Sequence, residues 1–177
     1  MKHLGLLRHA KSDWDDMALR DFDRGLNRRG RKGAALMGRH IQDYGLRWDS
    51  ALASPAERVK CTLEASSLAL PVTWDQRAYL ADADTLLALV AALPPQEDAV
   101  LLVGHNPGLQ DLLLMLADPV ADDALLRAAG EKFPTAAFAV LQLDIAEWAD
   151  CRPGCGRLVH FARPRDLDPD LGPVAFG

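Results

Sequence analysis

Ala99-Val100-Leu101-Leu102-Val103-Gly104-His105-Asn106-Pro107-Gly108 is the stretch that decides the fold. Its first five residues are apolar without alternation. Such a run reads as a strand covered on both faces, the situation in a parallel sheet held between helix layers. Gly104 to Gly108 then break it as a turn, and residues 109–116 read as a helix.

Working outward, the same strand-then-helix rhythm recurs. Residues 83–93 read as a helix that Pro94-Pro95 stops. Residues 50–53 form a short strand, and Ser54-Pro55-Ala56-Glu57 follows as a helix start. Ser54 is expected as N-cap, Pro55 at N1 and Glu57 at N3 of a capping box, with the helix running to about residue 68. Residues 71–74 read as a further short strand. At the N-terminus, residues 4–7 are a buried strand running into Arg8-His9-Ala10-Lys11-Ser12 and a charged loop through residue 29. A helix is expected from near Gly30, with Ala34, Met37, Ile41 and Tyr44 as its apolar stripe and Gly45 as its end. Late strands fit residues 136–143 and 158–161. Strands alternating with helices predict an α/β sandwich with a largely parallel sheet. No repeat or linker divides the chain, so one domain over residues 1–177 is expected, without a large cap insertion.

The 177 residues are 49% hydrophobic, 25% charged and 6% aromatic, which excludes disordered and fibrous classes. The net charge of −5 argues against general nucleic-acid binding. The charge is uneven: residues 1–60 hold 13 basic and 8 acidic side chains, while the remainder hold 7 and 17. That fits an anionic ligand near the N-terminal third, and also a solvated Arg-rich helix face. No apolar run is long enough for a membrane span, and residues 4–7 are too short for a signal-peptide core. Three cysteines, Cys61, Cys151 and Cys155, suggest a reducing compartment, so a cytoplasmic location is expected. Cys151-x3-Cys155 with His160 lacks a fourth metal ligand and reads as free thiols in a turn. His40 reads as a boundary residue and Trp14 as a wall of the pocket after His9.

Three polar groups share one position in this scheme. Arg8-His9 ends the first strand, Arg58 lies in an open helix start after the 50–53 strand, and His105 ends the 99–103 strand. In open α/β sheets, ligands bind outside the carboxyl ends of the strands. The residue types suit phosphoryl transfer. Arginine pairs with phosphate oxygens through a planar fork and keeps its charge. A helix start adds positive potential. A neutral imidazole is a competent nucleophile near pH 7.

Leu7-Arg8-His9-Ala10-Lys11-Ser12-Asp13-Trp14 resembles the Arg-His-Gly signature of the histidine phosphatase superfamily, in the Arg-His-Ala-Lys-Ser form of its SixA-type phosphohistidine phosphatases. Asp21-Phe22-Asp23-Arg24-Gly25-Leu26-Asn27-Arg28-Arg29-Gly30, Ser54 to Thr62, Val103 to Gly108 and Phe161 to Leu167 resemble the same branch, so the likeness covers nearly the whole chain. It implies a three-layer α/β/α sandwich of the phosphoglycerate mutase-like type, with a mostly parallel mixed sheet. It also implies a hydrolase that needs no metal or organic cofactor. By position, His9 would be the phosphorylated nucleophile, and Arg8, Arg58 and His105 would form the phosphate pocket. Lys11, Ser12 and Asn106 are candidate substrate contacts. The superfamily's carboxylic acid after the second arginine motif has two candidates here, Asp82 and Asp84; Asp84 is equally explained as a helix-start residue.

The expected substrate is a phosphorylated protein, with phosphohistidine as the target, or a small phosphorylated molecule. The alternatives are a phosphomonoesterase acting on a metabolite, a non-catalytic phospho-binding module, and a metal-dependent hydrolase using His9, Asp13 and His105. The last matches no strong metal signature. A mutase would need an insertion that shields the phosphoenzyme from water, and none is evident.

Overall fold

Every residue of β4 (Ala99–Gly104) is buried, and its neighbours explain why. In this computed structural model, which describes residues 1–119 and 123–173, β4 lies between β2 (Ser50–Ala53) and β1 (Lys2–Arg8). The sheet has six strands in the order β3-β2-β4-β1-β5-β6, with β3 at Val72–Trp74, β5 at Phe138–Leu143 and β6 at Gly156–Ala162. Leu102 of β4 pairs in parallel with Leu6 on one side and Leu52 on the other. β5 runs antiparallel to both β1 and β6, and so is the one reversed strand. The sheet is therefore mixed and mostly parallel, as expected.

Alternate side chains of the central strands feed two cores. Leu4, Leu6, Val100 and Leu102 pack with α3 (Ala83–Ala91), α4 (Gly108–Leu116) and α5 (Ala124–Glu131). Leu7, Ala99, Leu101 and Val103 pack with α1 (Arg28–Asp43) and α2 (Glu57–Ser66), and Leu167 of α6 (Pro164–Leu167) joins them. Each fully buried aliphatic side chain contributes about 1.5–3 kcal/mol, so a strand feeding two cores gains nothing from polar alternation. The result is the three-layer α/β/α sandwich.

The helix starts depart from expectation in an informative way. α1 begins two residues earlier than Gly30, with Asn27 accepting from the Gly30 N–H as N-cap. The capping box at Ser54 does not form. α2 starts at Glu57 with Ala56 in the cap position and no side-chain cap; the fully buried Ser54 hydroxyl accepts from the Ala56 N–H at 3.3 Å and meets His105 Nε2 at 2.8 Å. α2 also stops at Ser66, where Ser67 turns left-handed at φ 56°. α5 and α6 were not expected from the sequence.

Two glycines let elements close on the sheet edge. A Cβ at Gly30 would collide with the Lys11 carbonyl, and one at Gly108 with the Ala81 carbonyl. Between α1 and the sheet, His40 of α1 and His160 of β6 meet Nε2 to Nε2 at 2.8 Å, with rings stacked 5.0 Å apart. Cys151 and Cys155 lie in the opposite core. Among the described residues, no group of three or more His, Cys, Asp or Glu could hold a metal ion. Nor, among them, is any helix long and apolar enough to cross a membrane.

Candidate active site

Three strand ends deliver the site. His9 follows β1, Ser54 follows β2 and His105 follows β4. The sheet ladder continues one step past the strands: the His9 N–H donates to Gly104 O at 3.0 Å, and the Ser54 N–H to Val103 O at 3.1 Å. This brings the His9 and His105 rings to 5.3 Å between centroids, tilted by 53°.

His9 is only 7% exposed. Its Nδ1 lies 2.7 Å from Ala10 O. A carbonyl can only accept, so Nδ1 carries the proton and Nε2 keeps a free lone pair. Burial pushes its pKa down to about 4, with the Arg58 and Arg8 charges acting in the same direction against the Ala10 bond and Asp21. His105 Nε2 lies 2.8 Å from Ser54 Oγ, and its buried Nδ1 has no partner among the described residues. Burial, then Arg58 and His9, bring its pKa down to about 3. Both rings are therefore neutral near pH 7.

Arg58 sits in the first turn of α2 and is buried, not at an open helix start as expected. It donates from one NH to Asp21 O at 2.7 Å and from the other to Asp21 Oδ2 at 2.9 Å. The Tyr79 hydroxyl donates to the same Oδ2 at 2.5 Å. Burial alone would raise the Asp21 pKa; the Tyr79 and Arg58 bonds and the Arg58 charge outweigh it and hold the carboxyl below its ordinary value. Thr62, one turn along, donates to Arg58 O at 2.7 Å and accepts from the Ala10 N–H at 2.9 Å. The loop after His9 is thus fastened to the turn that carries Arg58.

Arg8 donates to Phe133 O at 3.1 Å, and burial followed by repulsion from Arg58 lowers its pKa. Asn106 donates to the same carbonyl at 2.9 Å, while its Oδ1 accepts from the Gln110 N–H. Its amide is thereby committed to bracing the ends of β1 and β4 against the loop before β5.

Of the residues singled out in the sequence, Arg8, His9, Arg58 and His105 come together. Lys11 is exposed at the rim. Ser12 bridges Leu26, and its carbonyl accepts from Asn27 Nδ2. Asp82 is the N-cap of α3, and its bonds from Thr85 hold its pKa below the usual carboxylate value. Asp84 is exposed in the first turn of α3. Neither carboxylate bonds to the four central residues. Trp14 lies over the Arg24 guanidinium at 4.2 Å. Buried Arg24 donates to Asp16 O and Leu19 O at 2.8 Å each, which organises the charged loop. Sequence reasoning missed Asp21, Ser54, Thr62 and Tyr79 as site residues. The signals for Ser54 and Asp21 were present, one directly after a strand and the other in a quoted motif.

Comparison with known proteins agrees with this geometry. Residues 4–86 match the histidine phosphatase superfamily, branch 1. An uncharacterized protein of Mycobacterium tuberculosis is 35% identical over 90% of this chain and 100% of its own length. The solved structure of a proposed phosphohistidine phosphatase SixA from Agrobacterium tumefaciens is 32% identical, with a TM-score of 0.76 over 92% of this chain and 98% of that one. Its proposed counterpart from Nakamurella multipartitia is 29% identical, with a TM-score of 0.81 over 92% and 96%. With the likeness running through the whole sheet and both helix layers, this chain belongs to the histidine phosphatase superfamily and is a SixA-type hydrolase within it.

Proposed function

We propose that this enzyme is a cytoplasmic, single-domain phosphohistidine phosphatase that works through a phosphoryl group carried on His9 Nε2. The observation that carries this reading is the Nδ1–H of His9 held on Ala10 O, which leaves Nε2 unprotonated. The Nε2 lone pair attacks phosphorus as the P–N bond to the substrate imidazole breaks. That imidazole, protonated on its other nitrogen, leaves neutral. Water then attacks phosphorus, the P–Nε2 bond breaks with its electron pair returning to His9, and inorganic phosphate departs. Arg8, Arg58 and the Nδ1 side of His105 stabilise the charge on the equatorial oxygens. The steps use no metal or organic cofactor.

Phosphohistidine is favoured over an alkyl phosphate because of the acid. An alkoxide needs a proton as it leaves. The carboxylate whose charge acts on both imidazoles is Asp21, and Arg58 and Tyr79 keep it ionised. A leaving imidazole makes a smaller demand.

The test is twofold. Enzyme quenched in alkali during turnover is expected to carry a phosphoryl group that survives base and is lost in acid, absent in His9→Ala. The kcat/KM for a phosphohistidine peptide is expected to exceed that for an alkyl phosphate. A preference for the alkyl ester that collapses in Asp82→Asn or Asp84→Asn overturns the reading.

A further inference from the structure

Next to the histidine pair, the same sheet edge holds a second feature, of which the reaction above uses only Arg8. Leu7 pairs with Phe138, and Phe138 with Ala162, so the start of β5 and the end of β6 lie level with the end of β1. Between them, the start of α1 and the segment after β6 runs a cleft of about 360 Å³. Arg8, Lys11, Arg29, Lys132, Arg163 and Arg165 line it, and no Asp or Glu does. Arg163 is paired with Asp166 at 2.9 Å. Arg29 donates to the carbonyls of Asp170 and Gly172, and its charge acts on Asp168. The side chains of Lys11, Lys132 and Arg165 have no acidic partner among the described residues.

Like charges gathered in a concavity repel one another, and a ligand bearing several negative charges relieves that repulsion. The position of the cleft says where such a ligand sits. Arg8, Ala10 and Lys11 all line it, so the cleft adjoins the site through Arg8. A substrate segment that leaves the site past Arg8 comes onto these cations. The build of the cleft says what kind of ligand it is. A single small anion calls for buried, fixed donors of the kind Arg58 supplies. Here Lys11 and Lys132 are exposed and stand on separate loops, which suits carboxylates spread along an extended segment.

We propose that this cleft is a docking groove for acidic side chains that flank the target histidine of a protein substrate. The identity of the reacting group rests on the phosphohistidine reading; the preference for acidic neighbours rests on the cleft alone.

The experiment uses two short peptides with a central histidine, one flanked by aspartates and the other by asparagines. Isothermal titration of the unphosphorylated peptides at low salt is expected to show the aspartate peptide binding about 10-fold tighter. Lys132→Ala/Arg165→Ala is expected to remove that difference while leaving kcat on phosphoramidate unchanged. After chemical phosphorylation, the aspartate peptide is expected to have the higher kcat/KM in the wild type, with the advantage lost in the double variant. Equal binding of the two peptides overturns the proposal, as does a preference that survives in the double variant. Binding of pyrophosphate that is lost in the double variant, with no binding of the aspartate peptide, also overturns it and assigns the cleft to small anions. If the aspartate peptide binds as expected but neither phosphopeptide is hydrolysed, the phosphohistidine reading falls and the groove stands.

Discussion

Arg58 and Arg165 both lie near the start of a helix at the same edge of the sheet, yet their settings are opposite. Arg58 is buried, 5% exposed at its side chain, and gives two bonds to Asp21. Arg165 is half-buried at the rim of an open cleft and has no acidic partner among the described residues. The surroundings differ in the same sense. Around Arg58 the imidazoles are kept neutral and the guanidinium is fixed before any ligand arrives, which is what transition-state stabilisation requires. Around Arg165, Lys11 and Lys132 are exposed and have no acidic partner among the described residues, which suits attraction and steering of a partner more than chemistry. One sheet edge thus separates fixed charge for reaction from loose charge for encounter.

The strongest way to break this comparison is Arg58→Ala. The expected loss is about 10²–10³-fold in kcat/KM. The fold should survive, because the freed Asp21 side chain is already 46% exposed and can hydrate. Far-UV circular dichroism beside steady-state kinetics checks both parts, and normal activity would remove Arg58 from the reaction.

A smaller effect is expected from Asp21→Asn, about 10-fold in kcat, because it loosens the placement of Arg58 without removing it. Asp21 raises the pKa of both His9 and His105. Its loss should therefore move both titrations further down, a readout that simple destabilisation would not give.

The mildest effect is on pH. His9 and His105 are expected to titrate near pH 4 and 3 by NMR, against 6.5 for a free imidazole. Their folded pKa values are depressed, so below pH 6.5 the unfolded chain takes up protons that the folded chain refuses. The stability these groups contribute is complete above pH 6.5. It is lost as the pH falls toward 4 for His9 and 3 for His105. Urea midpoints should fall across that range in the wild type and fall less in His9→Ala. A His9 titration near 6.5 would contradict the buried neutral imidazole.

The strand–helix alternation, the mostly parallel sheet and the place of Arg8, His9, Arg58 and His105 at its edge were legible because each rests on a local pattern that the fold preserves. Unbroken apolar runs mark buried strands, and polar residues directly after them mark the sheet edge. What could not be read depends on partners distant in sequence. Ser54 satisfies every local rule for an N-cap, yet its hydroxyl bonds only the Ala56 N–H nearby and meets His105, 51 residues away. Asp21 is one of several acids in a charged loop, and only the fold sets it against Arg58 and Tyr79. Asn106 follows His105 in the turn, but only the fold sets its amide against the Phe133 carbonyl and the Gln110 N–H. The cleft joins four separate segments, so no single motif announces it.

The stacked contact between His40 and His160 has a practical use. Two nitrogens 2.8 Å apart hold one proton between them, and burial followed by the His40 charge lowers the pKa of His160. The five histidines thus sort into the His9–His105 pair at the sheet edge, the His40–His160 pair between α1 and β6, and His3 alone. In a spectrum of imidazole resonances, added phosphate should move the first pair and leave the second in place. The second pair then serves as an internal reference that distinguishes occupancy of the site from a change in the whole molecule.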